Sequence, residues 1–141
     1  MTTENHRKDW MGLLARAKPA RLAALFPDLP DHSLLRAPEV GAVMVRGRIG
    51  GDGSAFNLGE MTVTRCSLAL PDGRVGHAHV QGRDKTHALR AAVLDALLQG
   101  GQASEVIATL RAEEAAGRLA RAEKAAATRV EFFTLVRGED Q

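Results

Sequence analysis

Apolar residues recur at helical spacing near the start of the chain. Four of them follow an i, i+3, i+4, i+7 pattern, which predicts a helix over 9–17: Trp10, Leu13, Leu14 and Ala17. Pro19 then opens "PARLAALF", a second short helix with its leucines and Phe26 on one face. Two prolines in "PDLPDH" end this pair. The pattern therefore predicts a helical pair over 8–30, after a loose polar tail at 1–7.

The pattern changes to alternation from Ser33 onward. "GAVMVRGRIGG" alternates apolar and polar positions, and "EMTVTRCSLAL" is rich in β-branched residues, so both are predicted strands. "GGDGSAFNLGE" connects them, and the tight turn "PDGR" leads into a third, antiparallel strand, "RVGHAHVQG". "HSLLRAP" is either a further edge strand or an irregular approach segment that Pro38 stops. An antiparallel sheet of three or four strands is expected over 33–82.

The C-terminal half reads as two helices. In "RDKTHALRAAVLDALLQGG", Asp84 is the predicted N-cap and Gly100–Gly101 the stop. Its nearly all-round apolar character predicts burial on more than one side. Ser104 caps an alanine-rich second helix, so the two helices span 83–128. An aromatic segment at 129–141 follows, and the whole chain is predicted to be one α+β domain, an antiparallel meander flanked by N-terminal and C-terminal helices.

The amino-acid composition argues against some functional classes of protein and favours others. The 141 residues carry a formal charge of only +2, with 4% aromatic residues and no Tyr, which argues against a dedicated nucleic-acid-binding protein. A core built largely from Ala, Val and Leu buries little apolar area, at ~25 cal/mol per Å², which favours completion by partner chains. No apolar run reaches the ~20 residues that span a bilayer, and no signal peptide is evident, so a cytoplasmic location is expected.

The stretch "VQGRDKTHA" is the first candidate site. A glycine lies between strand and helix, and the helix start offers unpaired N–H groups beside basic side chains, a setting that suits phosphate or carboxylate. The candidate contacts are Gln81, Arg83, Lys85 and His87. The alternative is an ordinary capped helix with solvated basic residues.

Two other sets of residues have competing interpretations. Arg46 and Arg48 leave one face of a strand, as a basic patch for an anion or partner, or as a solvated sheet face. His77 and His79 also share a face, but with His87 they make a poor metal set because no Cys pair or carboxylate cluster accompanies them. Cys66, the single cysteine, is predicted to be a buried small hydrophobe.

The C-terminal aromatic segment is the last feature. Phe132 and Phe133 lie where chains normally fray, so they either fill the protein's own core or insert into another subunit. The candidate interface residues are Phe132, Phe133, Arg137 and Trp10.

Several blocks together resemble the PhnG family, a subunit of the bacterial carbon–phosphorus lyase system. They are "WMGLLA", "PEVGAVMVRGRIGGDGSAFNLGEMTVTRC", "VQGRDKTHA" and "TRVEFFTLVRG", in that order from Trp10 to Gly138. Members of this family often carry an aromatic residue where this chain has His79, which further weakens the metal hypothesis.

The resemblance implies an accessory, non-catalytic subunit of a transferase. Its partners would be PhnH, PhnI and PhnJ, together with the ABC-type proteins PhnK and PhnL. With PhnH, PhnI and PhnL it would serve the displacement of adenine from MgATP by an alkylphosphonate, giving α-D-ribose 1-methylphosphonate 5-triphosphate. MgATP would be a substrate of the assembled complex, and the chain itself would hold no cofactor. The alternative is a stand-alone domain or enzyme that binds a small anion such as phosphate or a nucleotide.

Overall fold

The structure is a computed structural model that describes the backbone of residues 3–139 and the side chains of residues 6–132. Helices and strands follow one another in this order: α1 (Thr3–Arg16), α2 (Pro19–Leu25), β1 (Ser33–Arg48), a 3₁₀ turn (Ile49–Gly51), β2 (Ala55–Ala69), β3 (Val75–Gln81), α3 (Lys85–Gln99) and α4 (Ser104–Glu139).

The three strands form one antiparallel sheet in the order β1-β2-β3. This confirms the predicted α+β class, with the meander between an N-terminal helical pair and two C-terminal helices. β1 is longer than expected, because "HSLLRAP" continues into "GAVMVRGR" as one strand. The prediction that Pro38 stops a strand was therefore wrong. β1 lies at the edge of the sheet and absorbs the proline through register shifts on either side of Arg36, where a missing N–H costs no ladder bond.

The β1–β2 hairpin extends beyond the third strand. β3 pairs with β2 only from Val63 to Ala69, whereas β1 and β2 remain paired from Ala42–Thr62 outward to Arg48–Ala55. Residues 42–62 therefore form a two-stranded ribbon, here called the arm. An isolated two-stranded hairpin is marginal in water, so the arm relies on its base or on something that covers it.

Helix α3 covers one face of the sheet. Nine of its residues are buried, as its all-round apolar pattern predicted, and it contacts all three strands as well as α1 and α2. The approach to β3 is close: a Cβ placed at Gly76 would collide with the carbonyl oxygen of Ala92. The strand residues beneath α3 alternate with outward ones, so Cys66, Leu68 and Val80 are buried.

Helix α1 begins earlier than predicted, inside the segment expected to be a loose tail at 1–7. Its early start has a tertiary cause, since the Arg7 side chain is held by Asp95 of α3. Helix α2 agrees with its prediction, with Pro19 in its first turn and Leu22 buried. No helix among the described residues is long and apolar enough to cross a bilayer.

The chain divides into two compact units, residues 1–107 and 108–141. The second unit is the greater part of α4, which runs to Glu139 and so includes most of the aromatic segment that the sequence analysis placed after the helices. Alanine is the best helix former, and each added residue propagates an existing helix at little cost. An i, i+4 ion pair between Glu114 and Arg118, with 2.9 Å between Oε1 and Nη1, supports the exposed middle of α4.

Candidate functional site

The start of α3 is built as the sequence predicted. Gly82 has a φ of +92°, which favours glycine, and its N–H donates to the carbonyl of Thr62. Asp84 is the N-cap, and its Oδ1 accepts from the backbone N–H of His87 at 2.9 Å. The Thr64 hydroxyl donates to the Gly82 carbonyl at 2.7 Å. These bonds fix the turn from β3 into α3.

Gln81, Arg83 and Lys85 are exposed around this turn. Within the side chains described, 6–132, neither Arg83 nor Lys85 forms an ion pair or a hydrogen bond. Both cations therefore face solvent beside the positive end of the α3 dipole, as an anion contact requires.

His87 does not join that exposed group. Its side chain is only 3% exposed, and its Nε2 lies 2.8 Å from the carbonyl oxygen of Leu14 in α1. A carbonyl can only accept, so Nε2 carries the proton, and the buried Nδ1 has no partner among the described residues. His87 was expected to contact an anion or a partner at the surface. It lies instead in the core, where it donates to the Leu14 carbonyl, one of the carbonyls at the end of α1 that have no partner within the helix.

Arg46 and Arg48 form a separate basic pair on the arm. Both are exposed, and with Gly47, Gly51 and Ala55 they line a shallow depression of about 460 Å³. Neither guanidinium forms an ion pair or hydrogen bond with another side chain or with backbone in the described part of the chain.

Arg46 and Arg48 lie on the side of the sheet that α3 covers. Val40 is paired with Thr64, on the face that α3 covers, and β1 keeps its alternation along the arm because the bulge after Val45 lies on β2. Arg46 and Arg48 therefore leave the α3 side. At ~3.3 Å per residue, their backbone positions are roughly 13–20 Å beyond the sheet position beside Gly82. The structure thus leaves the two pairs apart along the sheet.

Asp95 is the most connected polar residue that the sequence interpretation overlooked. Its carboxylate is fully buried in α3 and accepts from the indole Nε1 of Trp10 at 2.8 Å, the backbone N–H of His77 at 2.9 Å and the Arg7 guanidinium. The sequence does indicate a buried, paired acid here, because Asp95 is the single acid in an otherwise apolar stretch from Ala91 to Leu98. Buried acids are rare unless they are paired.

The network around Asp95 gives Trp10 a structural role. Its indole nitrogen donates to Asp95 inside the protein, and the expected interface role of Trp10 stays a prediction. The hydrogen bonds to Asp95 raise the pKa of Arg7, partial burial lowers it, and the charge of Asp95 adds to the increase. Arg7 is therefore a fixed cation that holds α1 against α3.

The histidines do not assemble a metal site. His77 and His79 are exposed on the face of β3 away from α3, whereas His87 is buried in α3. The Nδ1 of His77 lies 2.8 Å from the Ser67 hydroxyl. No group of three or more His, Cys, Asp or Glu side chains within residues 6–132 could hold a metal ion.

Phe132 lies on α4 in the second unit and is 61% exposed. It lines a surface groove along one side of this helix with Arg121, Lys124, Ala125, Thr128 and Arg129. The side chains of Phe133 and Arg137 lie outside the described residues, so their predicted interface role stays a prediction.

Comparison with known proteins identifies the family. The family model described as "Phosphonate metabolism protein PhnG" matches residues 5–138. A relative from Rhizobium meliloti (strain 1021), named alpha-D-ribose 1-methylphosphonate 5-triphosphate synthase subunit PhnG, is 46% identical over 142 aligned positions. The alignment covers 95% of this chain and 90% of the relative. The predicted resemblance is confirmed: this chain belongs to the PhnG family of phosphonate metabolism proteins.

Proposed function

We propose that this chain is an accessory subunit of an α-D-ribose 1-methylphosphonate 5-triphosphate synthase. The observation that carries the proposal is the 46% identity, over nearly the whole of both chains, to a relative named as a subunit of that synthase. In this role the chain acts with PhnH, PhnI and PhnL when an alkylphosphonate displaces adenine from MgATP. PhnJ and PhnK are further partners of the assembly.

The proposed role is structural rather than catalytic. Two buried side chains are of types that could take part in catalysis, the carboxylate of Asp95 and the imidazole of His87. Both form hydrogen bonds that hold α1 to α3. MgATP is accordingly a substrate of the assembled complex, and the contribution of this chain is to bind and position other subunits.

The exposed basic pairs supply the anionic contact in this proposal. Arg46 with Arg48 on the arm, and Arg83 with Lys85 at the start of α3, are exposed and have no intramolecular carboxylate partner among the described residues. Their complement is either the triphosphate of the substrate or carboxylates of a neighbouring subunit, and Gln81, exposed at the end of β3, is the further candidate contact. Phe132, Phe133 and Arg137 provide a second, C-terminal contact on α4.

Reconstitution of the synthase tests the proposal. A mixture of the partner subunits with MgATP and methylphosphonate should release adenine only when this chain is added. Neutralising both basic pairs (R46Q, R48Q, R83Q and K85Q) should lower turnover or assembly at least about tenfold. Neutralising Arg36, an exposed arginine of β1 outside the arm, is the matched control.

Full turnover without this chain would refute the subunit role. Saturable ATP binding and adenine release by the isolated chain would instead support the stand-alone anion-binding domain. Unchanged turnover and assembly in the quadruple variant would remove the anionic contact while leaving the subunit role intact.

A further inference from the structure

The arm presents two chemically different faces. Cross-strand partners share a face, so Val43 pairs with Met61 on the side away from α3, and Gly47 pairs with Phe56. Gly47 leaves space there: a Cβ at this position would lie 3.1 Å from Leu58 Cδ1 and 3.2 Å from Phe56 Cζ. An apolar face results, which comprises Val43, Val45, Phe56, Leu58 and Met61.

The side chains of this apolar face shield one another from solvent only in part. Phe56 is 42% exposed and Leu58 is 61% exposed, although both carry large apolar side chains. Scattered surface hydrophobics are ordinary, but these residues are contiguous and lie on a ribbon without a third strand. Burying them would remove apolar surface from water and would stabilise a marginal hairpin.

The opposite face of the arm carries the arginine pair. Met44, Arg46 and Arg48 lie on this face, with Asn57 and Glu60 as cross-strand neighbours. Neither guanidinium has an ionic partner within residues 6–132. A surface that covers this face must therefore offer negative charge, whereas one that covers the other face must be apolar.

We propose that the arm inserts into a cleft of another subunit of the synthase. One wall of that cleft is apolar and covers Phe56 and Leu58, and the other wall carries carboxylates that meet Arg46 and Arg48. The inference rests on the proposed function insofar as it takes the chain to be a subunit, and it adds the surface and the chemistry of the partner.

The two-faced character of the arm favours a different subunit over a second copy of this chain. Two identical arms related by a two-fold axis would match apolar face to apolar face. Such a contact would leave both arginine pairs without carboxylates. A cleft in a different chain can offer an apolar wall to one face and carboxylates to the arginine pair at the same time.

Photo-crosslinking from the arm identifies what covers it. Phe56 is replaced by p-benzoylphenylalanine in the full chain, which is co-expressed with the partner subunits and irradiated after purification of the complex. We expect a crosslinked band whose mass equals this chain plus one other subunit. The same replacement at Leu35, which is as exposed as Leu58 but lies outside the arm, should give at least about fivefold less product. A crosslink to a second copy of this chain, or none, would overturn the proposal.

A substitution tests the energetic contribution of the arm. Phe56→Ser with Leu58→Ser should weaken association with the partner subunits about tenfold or more, and Leu35→Ser should change it less than about threefold. Equal affinities of the double variant and the wild type would also overturn the proposal. Failure of the wild-type chain to associate with any subunit would instead refute the proposed function, so the two failures are distinguishable.

Discussion

Arg7 and Asp95 lie 88 positions apart in the sequence and form a two-pronged ion pair between α1 and α3. Arg7 Nε lies 3.2 Å from Asp95 Oδ1, and Arg7 Nη2 lies 2.9 Å from Oδ2. The same carboxylate accepts from Trp10 and from the backbone N–H of His77 at the free edge of β3. One buried side chain therefore joins α1, α3 and the edge of the sheet.

Asp95→Asn should destabilise the fold by about 2–4 kcal/mol. The amide places N–H groups opposite existing donors, so at least one of Arg7, Trp10 and His77 N–H loses its acceptor. Urea unfolding measures the loss. Glu39→Gln is the matched control, since Glu39 forms an exposed ion pair with Arg65 and its loss should cost less than about 1 kcal/mol. Equal stabilities of the two variants would contradict the role assigned to Asp95.

His87→Ala should cost about 2–3 kcal/mol of stability. The substitution leaves a cavity in the core and removes the donor to the Leu14 carbonyl. Lys85→Ala, two residues away on the exposed side of the same helix, should change stability by less than about 0.5 kcal/mol. Thermal unfolding of both variants provides the comparison. A His87→Ala protein as stable as the wild type would restore the surface role that the sequence suggested.

The Cys66 thiol should be unreactive in the folded protein. Burial raises its pKa above the ordinary 9.0, so at pH 8 it stays protonated and shielded, and thiolate is the reactive form. Labelling with a disulfide reagent should be slow in buffer and fast in urea. A Cys66→Ser, His79→Cys variant, with its thiol exposed on β3, should label rapidly in both. Fast labelling of native Cys66 would show that the core beneath α3 opens readily.

The same pKa shift sets the sign of a pH effect. The folded thiol holds its proton more tightly than the unfolded one does, so its contribution to stability is complete below the unfolded pKa near 9 and decreases as pH rises toward the folded pKa. The free energy of unfolding should therefore decrease as the pH rises above about 9, and Cys66→Ser should show less of this decrease.

Local patterns predicted much of the fold because the corresponding contacts are local. The Asp84 cap, the glycine stop after α3 and the order of three strands all follow from residues within a few positions of each other. The shared face of Arg46 and Arg48 followed from strand alternation.

The remaining features depend on contacts that no local pattern reports. The carbonyl of Leu14, which receives His87, is 73 positions away in the sequence, so a polar residue near a helix start looked exposed. The single strand through Pro38 depends on β1 being an edge strand, which only the assembled sheet shows. The residues after 129 include aromatic and β-branched side chains, which are weak helix formers. The helix continues through them because adding a residue to an existing helix is cooperative.

Phe132→Ala with Phe133→Ala should weaken assembly with the partner subunits more than it destabilises the isolated chain. Phe132 is 61% exposed on α4, so its loss from the isolated chain removes little buried surface. The double variant should bind partners at least about tenfold more weakly with little change in melting temperature. Leu119→Ala, equally exposed on the same helix, serves as control. Comparable losses of binding and of fold stability would indicate that the pair belongs to the protein's own core.

Co-purification tests the central claim most directly. The tagged chain is co-expressed with untagged PhnH, PhnI and PhnJ, purified through its tag, and its mass is measured by light scattering. We expect co-elution of partner subunits in fixed ratio, in a particle several times heavier than the chain's own 15.1 kDa. A chain that elutes alone at that mass and releases adenine from MgATP without partners would contradict the account.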